Sequence, residues 1–600
     1  MTQRSFLVSA SATPSPSILS PATSSALAAL LGISLAACGG ATPATIVPAP
    51  PVSDAPTPVD PEPVAPPPSP TAAFDQAAAL ITPELLREQV AKLSSDAMEG
   101  RGPTTRGDAA ARDYLVSQLA AYGYEPGGKD GQWQQPFDLV GVTATMPKSW
   151  QFSRGGKKLS LAWWDQFIAG SGVQTERAAV RGAEVVFVGY GITAPEVGWD
   201  DFKGLDVRGK VLLMLNSDPD WDPALFAGTS RLYYGRWSYK YESAARHGAV
   251  GAIIIHTTPS AGYPFQVVQS SWTGEQFELP ASGAPSVVVK GWVTEDAAGQ
   301  LVGLAGKKLA DLVAAARSKE FRPVPLGITT SLAFTNQLHR APTANVVGLL
   351  RGSDPTLRDE AVVVTAHHDH LGIGKANAAG DTIYNGALDN GAGCAQVLAI
   401  AKALASMPQR PRRSIQVVFV AAEEQGLLGS AHYAANPTFA PGAIAANVNF
   451  DGGNIWGRTK DVTYIGKGKS SLDAIVDEIA RRQGRTVKPD QFPDRGFFYR
   501  SDQFNFAKIG VPALYLSTGT EFIGRPTGWG TEQLKRYETE NYHQPSDQLG
   551  ADWVFDGMVE DAIIGLWTTL QVAQRDELPT WTPGDEFEAA RKAALAARGK

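Results

Sequence analysis

The chain has 600 residues, of which 43% are hydrophobic and 9% aromatic, so it can bury a large core and form more than one domain. Its formal net charge is -7, with 53 Lys and Arg residues against 60 Asp and Glu residues, and this balance argues against a surface that binds nucleic acid. With only two cysteines, the chain has no disulfide framework.

The first predicted element is an apolar segment, SALAALLGISLAACGG, at positions 25–40. It is shorter than the roughly 20 residues that a helix needs to cross a bilayer, which is typical of an export signal. Its end, LAAC, resembles a bacterial lipobox, which implies removal of residues 1–37 and acylation of the Cys38 thiol. We therefore expect an exported lipoprotein that is anchored in a membrane and faces the periplasm or the cell surface.

A segment rich in Pro and Ala follows Cys38 and extends to position 72. Its sequence includes PAPPVSDAPTPVDPEPVAPPPSP, a composition that does not pack a core. Such segments behave as extended, semi-rigid spacers. Residues 38–72 are therefore predicted to connect a lipid anchor to a globular body.

Two helices are predicted next, at 83–93 and 108–123, because their apolar residues recur at spacings of three and four. The segment between them, EGRGPTTRG at 99–107, is rich in turn-forming residues. We assign residues 73–175 to the N-terminal part of the main domain.

Residues 176–330 show a different pattern, with more strand signals than the residues before them. We predict that they form a smaller, β-rich inserted domain. Short strands are predicted at 183–192, 209–216 and 284–290, with a helix followed by a strand at 241–256. The phrases DVRGKVLL and AARHGAVGAIII resemble the protease-associated (PA) domain. His247 and His256 have no acidic partner at ligand spacing here, so we interpret them as structural or surface residues.

The main domain is predicted to resume at 331 and to end at 578, before a C-terminal tail at 579–600. Strands are expected at 344–352 and 359–372, and the second begins with a continuous apolar run, typical of a strand buried on both faces. The sequence AHHDHLG, at 366–372, comes at the end of this run. In open α/β sheets ligands bind at the carboxyl ends of the strands, so a site is predicted there.

Further acidic and imidazole side chains follow strand or loop signals downstream. They are Asp389 in NGALDNGAG, Glu423 and Glu424 in VVFVAAEEQGLLGS, Asp451 in ANVNFDGGN and His543 in ENYHQPSDQ. Two zinc ions about 3.5 to 4 Å apart need a bridging carboxylate, with an imidazole and a further carboxylate on each ion. Of two adjacent glutamates, one can bind metal while the other accepts a proton from water. Two carboxylates directly after an apolar strand are costly to bury without a cation.

From about residue 340 to residue 575, together with the helices before the PA-like segment, the chain resembles the M28 family of zinc aminopeptidases. The resemblance implies an α/β fold with a mixed, mostly parallel sheet flanked by helices, and two zinc ions per chain. It implies one metal bound by His367 and Asp451, a second bound by Glu424 and His543, and Asp389 as the bridge between them.

The same resemblance assigns roles to further residues. Glu423 becomes the general base, and Asp369 orients the imidazole of His367. Arg500, in RSDQFNFAKIGVPALYL, becomes a candidate for positioning the substrate, and Tyr542 a candidate for polarising the scissile carbonyl.

The remaining histidines of AHHDHLG are given other roles, because neighbouring side chains on a strand point to opposite faces. His368 is expected to pack, and His370 to lie in a loop at the rim of the cleft or to support a ligand. Cys394 lies in a helical pattern and is also expected to pack.

The activity implied is hydrolysis of the peptide bond next to a free amino terminus, with peptides as substrates. Carboxypeptidase-like and cyclotransferase variants and the M20 aminoacylases use related metal chemistry. The PA-like insertion favours M28 over M20, whose insertion serves dimerisation. A non-catalytic surface receptor is the alternative from another class, and such a protein typically lacks ligands or the base.

Overall fold

The structure is a computed structural model that describes residues 72–222 and 225–598. The predicted export signal, Cys38 and nearly all of the tether lie outside the described residues. No helix in the described ranges is long and apolar enough to cross a membrane.

Several helices begin where the sequence supplies a side-chain cap. The side chain of Thr82, for example, accepts a hydrogen bond from the amide of Leu85, and Pro83 is the first residue of its helix. The α-helices are α1 (Ala72–Ala78), α2 (Pro83–Leu93), α3 (Arg106–Ala121), α4 (Trp237–Arg246), α5 (Thr258–Ala261), α6 (Phe265–Ser271), α7 (Glu295–Leu304), α8 (Leu309–Ala316), α9 (Gly393–Ala405), α10 (Leu428–Ala435), α11 (Leu472–Arg482), α12 (Gln503–Lys508), α13 (Trp529–Glu540), α14 (Asp556–Gln574) and α15 (Glu588–Arg598).

The strands are mostly short, apart from one that is shared by two parts of the molecule. They are β1 (Glu125–Pro126), β2 (Gln134–Thr145), β3 (Ser149–Arg154), β4 (Lys157–Ala162), β5 (Phe167–Ser171), β6 (Arg177–Phe187), β7 (Thr193–Ala194), β8 (Trp199–Asp200), β9 (Val211–Leu215), β10 (Gly251–His256), β11 (Glu275–Glu278), β12 (Val289–Thr294), β13 (Val324–Leu350), β14 (Ala361–His367), β15 (Gly372–Ile373), β16 (Ile383–Tyr384), β17 (Ser414–Val420), β18 (Ile444–Phe450), β19 (Asp461–Ile465), β20 (Thr486–Pro489) and β21 (Ala513–Ser517).

The central sheet of the main domain runs in the order β13, β17, β14, β18, β21, β19 and β20. The pairs β17–β14, β14–β18, β18–β21 and β19–β20 are parallel, whereas β13–β17 and β21–β19 are antiparallel. Helices cover both faces, so the mixed, mostly parallel α/β fold predicted from the sequence is confirmed. The carboxyl ends of β14, β17 and β18 meet at one edge of this sheet.

Alternation along β14 divides the main core into two layers. Val362 and Val364 point to the side covered by α2, α9 and α14, whereas Val363 packs on the opposite side, against the residues around α10 and α12. Both sides are fully buried, which explains why the sequence of this strand is continuously apolar. Burial on two faces fixes the register of β14 and hence the position of the residues that follow it.

The inserted segment has cores of its own. Strands β6, β9, β10 and β12 pair in parallel, with β5 antiparallel at the edge, and two hydrophobic clusters flank them. The predicted strand at 284–290 is largely wrong, because β12 occupies Val289–Thr294. Strand β13 joins the two parts, since its first half pairs with β6 and its last five residues pair with β17.

The C-terminal segment packs on the main domain. Trp581 is buried and donates a hydrogen bond from its indole to the carbonyl of Gly510 at 3.0 Å. On α15, Arg591 is 2% exposed and donates to the carbonyl of Ile444 at 2.9 Å, at the start of β18. The tail therefore supports one of the strands that end at the site.

Candidate metal centre

The first half of the centre is formed by the last residue of β14, the residue after β18 and a residue of the segment before α9. Nε2 of His367 lies 3.3 Å from Oδ1 of Asp389 and 3.2 Å from Oδ1 of Asp451. Strand pairing explains this proximity, because β14 ends at His367 beside β18, and Asp451 directly follows β18. The three ligand atoms are close enough together to hold one metal ion.

The second half shares Asp389 with the first. Nε2 of His543 lies 3.2 Å from Oδ2 of Asp389 and 3.0 Å from Oε2 of Glu424. Asp389 thus presents one carboxylate oxygen to each half, which is the arrangement that a bridging ligand requires. The five predicted ligands are brought together, although they are spread over almost 180 positions of the sequence.

His370 also belongs to this second group, because its ring nitrogen, Asp389 and Glu424 could hold a metal ion between them. Its Nδ1 lies 2.7 Å from Oε1 of Glu424, the oxygen that does not face His543. His370 is fully buried, so the expectation that it lies at the rim of the cleft is wrong. The expectation that it supports a ligand agrees with this contact, since it positions the carboxylate of Glu424.

The loop that carries Asp389 is held from outside by Asp547. The amides of Leu388 and Asp389 both donate to the carboxylate of Asp547, at 3.1 Å to its nearest oxygen in each case. The carbonyl of Asp547 in turn accepts a hydrogen bond from the amide of Ala387 at 3.0 Å. Asp547 lies four positions after His543. One short segment therefore carries a predicted ligand and also fixes the loop that contains Asp389.

Arg101, which belongs to the segment predicted to be rich in turns, also supports the loops of the site. Its fully buried guanidinium donates to the carbonyls of His368, Asn385 and Gly386 at 2.7 to 2.8 Å. The neighbouring Gly100 has a φ of 64°, and a Cβ there would lie 2.5 Å from the carbonyl oxygen of Gly372. The chain before α3 therefore needs a glycine to approach the site loops closely.

Glu423 lies against the centre without belonging to either ligand group. Its Oε2 is 4.0 Å from Nε2 of His367. Burial raises the pKa of Glu423 well above its usual value; the charge of His367 opposes this shift, and the neighbouring carboxylates of Asp451 and Glu424 add to it. A carboxylate in this position can exchange a proton with a group held between the two halves.

Asp369 positions the two glutamates. Its carboxylate accepts hydrogen bonds from the amides of Glu423 at 3.0 Å and Glu424 at 3.3 Å. The predicted contact with His367 is different in detail, because Nδ1 of that ring lies 3.2 Å from the backbone carbonyl of Asp369 and 3.8 Å from its carboxylate. Residue 369 thus fixes both the imidazole and the turn that carries the glutamates.

His368 is buried, as expected for a residue that packs, but it also has a charged partner. Its Nε2 lies 3.0 Å from Oδ1 of Asp108 on α3, which also binds Arg112 at 3.1 Å. Burial alone would raise the pKa of Asp108, but the hydrogen bond with His368 and the charge of Arg112 outweigh burial and lower it. The pair attaches α3 to the strand that carries His367.

The two residues predicted to contact substrate both line the cavity at the centre. Tyr542 is 45% exposed and stacks on His543, with the ring centroids 3.8 Å apart. Arg500 is exposed, and its guanidinium lies over the ring of Phe497 at 5.6 Å. The cavity has a volume of about 910 Å³ and is also lined by Asp389 and Glu423.

The charges of the centre match a pair of divalent cations. Burial alone would lower the pKa of His543, but the carboxylates of Glu424 and Asp389 outweigh burial and raise it to about 10. Four carboxylates, those of Asp389, Glu423, Glu424 and Asp451, lie here against the imidazoles of His367 and His543, and such a cluster is costly to bury without cations. Imidazole nitrogen and carboxylate oxygen are the donors that zinc accepts in catalytic sites, so the residues fit this metal.

Most of the main domain is similar to one known family. Residues 345–566 match the family model described as Peptidase family M28. We refer to this segment as the M28 domain, after the family model that it matches. The M28 domain contains the five predicted ligands and Glu423, whereas the inserted segment lies before its first residue.

Curated relatives match parts of the chain. Aminopeptidase NAALADL1 of Rattus norvegicus is 26% identical over 281 residues, which cover 39% of this chain and 34% of that relative. Aminopeptidase YwaD of Bacillus subtilis (strain 168) is 35% identical over 101 residues, which cover 17% of this chain and 18% of that relative. The chain therefore spans about a third or less of the length of these relatives.

Among solved structures, an aminopeptidase from Aneurinibacillus sp. strain AM-1 aligns with 84% of this chain and 97% of its own, at 19% identity and a TM-score of 0.46.

Several residues of the M28 domain and its support were not predicted. Asp547, Arg101 and Asp108 bind site loops or site residues, yet each lies in a turn or helix where charged residues are common. The sequence signal that could have found Asp547 is its place beside His543, in HQPSD. No comparable signal precedes Arg101 or Asp108.

Proposed function

We propose that this chain is a dinuclear zinc-dependent aminopeptidase that removes N-terminal residues from peptides. The observation that supports this most strongly is the position of Asp389. One of its carboxylate oxygens faces His367, which also contacts Asp451, and the other faces His543, which also contacts Glu424. The M28 match and the aminopeptidase relatives support the same activity.

In this proposal His367 and Asp451 would hold one zinc ion, Glu424 and His543 would hold the other, and Asp389 would contribute to both sites. When bound, zinc would supply Lewis acidity toward the scissile carbonyl and toward water. The acidic side of the cavity would hold the protonated amino terminus of the peptide, because several carboxylates converge there.

Glu423 is the general base in this mechanism. It takes the proton from the attacking water and later donates it to the leaving amine, and its fixed turn keeps it close to both. Tyr542 contributes a hydroxyl at the open side of the centre, where it could donate a hydrogen bond to the carbonyl oxygen. Cys394 takes no part, because its buried thiol donates to the carbonyl of His367 at 3.1 Å.

The proposal extends to location. The LAAC sequence and the Pro-rich segment support export and attachment to a membrane through a lipid on Cys38, with the peptidase domain on the outer side. Peptides at that surface would be the substrates.

The activity is tested with Leu-Ala-Ala and its N-acetyl form, using zinc-loaded protein and separation of the products. We expect leucine to be released from the free peptide and nothing from the acetylated one, because the acetyl group removes the ammonium that the carboxylates hold. Release of alanine from the carboxyl end would instead indicate a carboxypeptidase-like enzyme. Cleavage of neither peptide would favour the non-catalytic receptor.

A further inference from the structure

The cavity at the metal centre has a basic wall that the mechanism does not use. Arg236, in the inserted segment directly before α4, lines the same cavity as Arg500 of the M28 domain. Both arginines share this space with Asp389 and Glu423. One cavity therefore holds an acidic centre and a basic surface that comes from two parts of the chain.

The two arginines lack acidic partners. In the described part of the chain, no carboxylate oxygen lies within 4.0 Å of a guanidinium nitrogen of Arg236 or Arg500, and the buried Nε of Arg236 has no hydrogen-bond partner. Arg495 lines the same cavity but is paired, with Nη1 2.7 Å from Oε1 of Glu538. Burial lowers the pKa of Arg236 to about 9, and the charges of Arg500 and Arg231 add to this effect.

An unpaired, half-buried guanidinium such as that of Arg236 is costly unless an anion binds it. Arginine presents several N–H donors in a planar arrangement that matches a carboxylate, and two arginines together give a stronger site than one. Arg236 and Arg500 both line the cavity, so an anion that enters the cavity can reach them. An anionic group of the substrate is thus the partner that the surface lacks.

The basic wall lies close to the metal centre. The charge of Arg500 is close enough to act on the pKa of Arg236 and on the pKa of Tyr542. The ring of Tyr542 stacks on that of His543, a predicted ligand. A cavity of about 910 Å³ accommodates ligands the size of a short peptide. A peptide bound by its amino group at the carboxylates would reach the arginines within a few residues.

We propose that Arg236 and Arg500 bind a carboxylate of the peptide substrate and so direct the enzyme toward short or acidic peptides. This inference rests on the proposed peptidase function. The carboxylate has two possible sources, the C-terminus of a dipeptide or tripeptide and the side chain of an acidic residue after the scissile bond. The inserted segment, through Arg236, completes the substrate site of the M28 domain.

The test compares kcat/KM for matched substrates that differ only in the carboxylate. Leu-Gly-Gly is compared with its C-terminal amide, and Leu-Glu-amide with Leu-Gln-amide. We expect the charged member of at least one pair to be preferred about tenfold or more, and the pair that shows the preference identifies the source. Equal values within both pairs would overturn the proposal.

Variants then assign the preference to the arginines. Arg236→Gln is expected to reduce a tenfold preference to less than threefold, Arg500→Gln to act in the same direction, and Arg236→Lys to restore part of it because the charge is kept. Arg246→Gln is the matched control, since Arg246 lies on α4 but pairs with Glu242 and does not line the cavity. A preference that survives in Arg236→Gln would contradict the assignment.

Binding separates this inference from the proposed activity. With full-length Glu423→Gln protein, calorimetry of Leu-Glu-amide and Leu-Gln-amide, and of Leu-Gly-Gly and its amide, should give a lower Kd for the charged member. The double variant with Arg236→Gln should lose that difference. If the wild-type protein cleaves no peptide, the proposed activity fails, and these Kd ratios alone decide whether the carboxylate subsite exists. Equal Kd values would overturn it.

Discussion

At the scale of single residues, the proposed mechanism depends on how the carboxylates of the centre are divided between metal binding and proton transfer. Asp389 is fixed by the amides that donate to Asp547, so both of its oxygens are free to face the two halves. Glu424 is directed by His370 on one oxygen and faces His543 with the other. Among the described residues, no hydrogen-bond donor directs the carboxylate of Glu423, which agrees with its proposed role as the base.

Glu423→Gln tests this division. We expect zinc binding to be kept and kcat to fall by roughly a hundredfold or more, because only the proton acceptor is removed. Glu424→Gln, one position away, should lose zinc as well as activity. The measurements are kcat with an aminoacyl-4-nitroanilide and the zinc content of each variant. If Glu423→Gln retains the rate, the base is another residue.

The pair of His368 and Asp108 predicts how the stability of the folded chain depends on pH. The pKa of Asp108 is lowered in the folded chain, so its stabilising contribution is complete above the unfolded value of about 3.9 and is lost as the pH falls through the folded value. Asp108→Asn should therefore lower the free energy of unfolding by about 3 kcal/mol at pH 7, and the difference from wild type should shrink below about pH 4.

Urea unfolding of both proteins between pH 7 and pH 3 measures this difference. Asp113→Asn is the control, because Asp113 is an exposed residue of the same helix and should unfold like wild type throughout. A difference between wild type and Asp108→Asn that stays constant down to pH 3 would argue against the lowered pKa.

At the scale of elements, the strands that end at the site were predictable from the sequence. The distant residues whose hydrogen bonds hold these strands and loops in place were not. The apolar run before His367 identified β14, and its two-sided burial placed the imidazole at the sheet edge. The helix at 83–93 was predicted with its observed bounds, since Thr82 and Pro83 mark its start. Asp108 and Arg101 act over more than 250 positions, and local patterns carry no information about such contacts.

The helix α15 also holds a strand that is distant in the sequence, because its Arg591 binds the start of β18. Arg591 donates to the carbonyls of Ile444 and Pro579 at 2.9 and 3.1 Å. Arg591→Ala should lower the free energy of unfolding by about 3 kcal/mol, because buried carbonyls lose their donors. Chemical denaturation gives the value.

Lys592→Ala is the matched control for α15. Lys592 has 71% of its side chain exposed and binds Glu588 at 2.6 Å on the surface, where ion pairs contribute little. The Lys592→Ala variant should have the same free energy of unfolding as wild type. If Arg591→Ala and Lys592→Ala have equal free energies of unfolding, α15 does not support β18 in the way described.

At the scale of the whole molecule, the inserted segment and the M28 domain share β13 and a common cavity. The fold of the M28 domain was predictable because its predicted ligands follow strands in a fixed order. The position of Arg236 in the cavity was not predictable, since a lone arginine before a helix has no distinctive pattern. The extent of the segments before residue 72 stays a prediction from the sequence.

The proposed anchor is tested by Cys38→Ser. Because the thiol is the site of acylation, we expect the variant to move from the membrane fraction to the soluble fraction, with unchanged peptidase activity per chain. Fractionation and immunoblotting of wild type and variant measure this. Unchanged membrane association would contradict the lipid anchor.

The central claim is that one carboxylate, Asp389, joins two metal ions. Zinc analysis of the purified chain and of Asp389→Ala, after equilibration with zinc and removal of the excess, tests it most directly. We expect about two zinc ions per wild-type chain and a loss from both halves in the variant, because each half shares this ligand. A wild-type chain that binds no zinc, or a variant that keeps the wild-type zinc content, would contradict the claim.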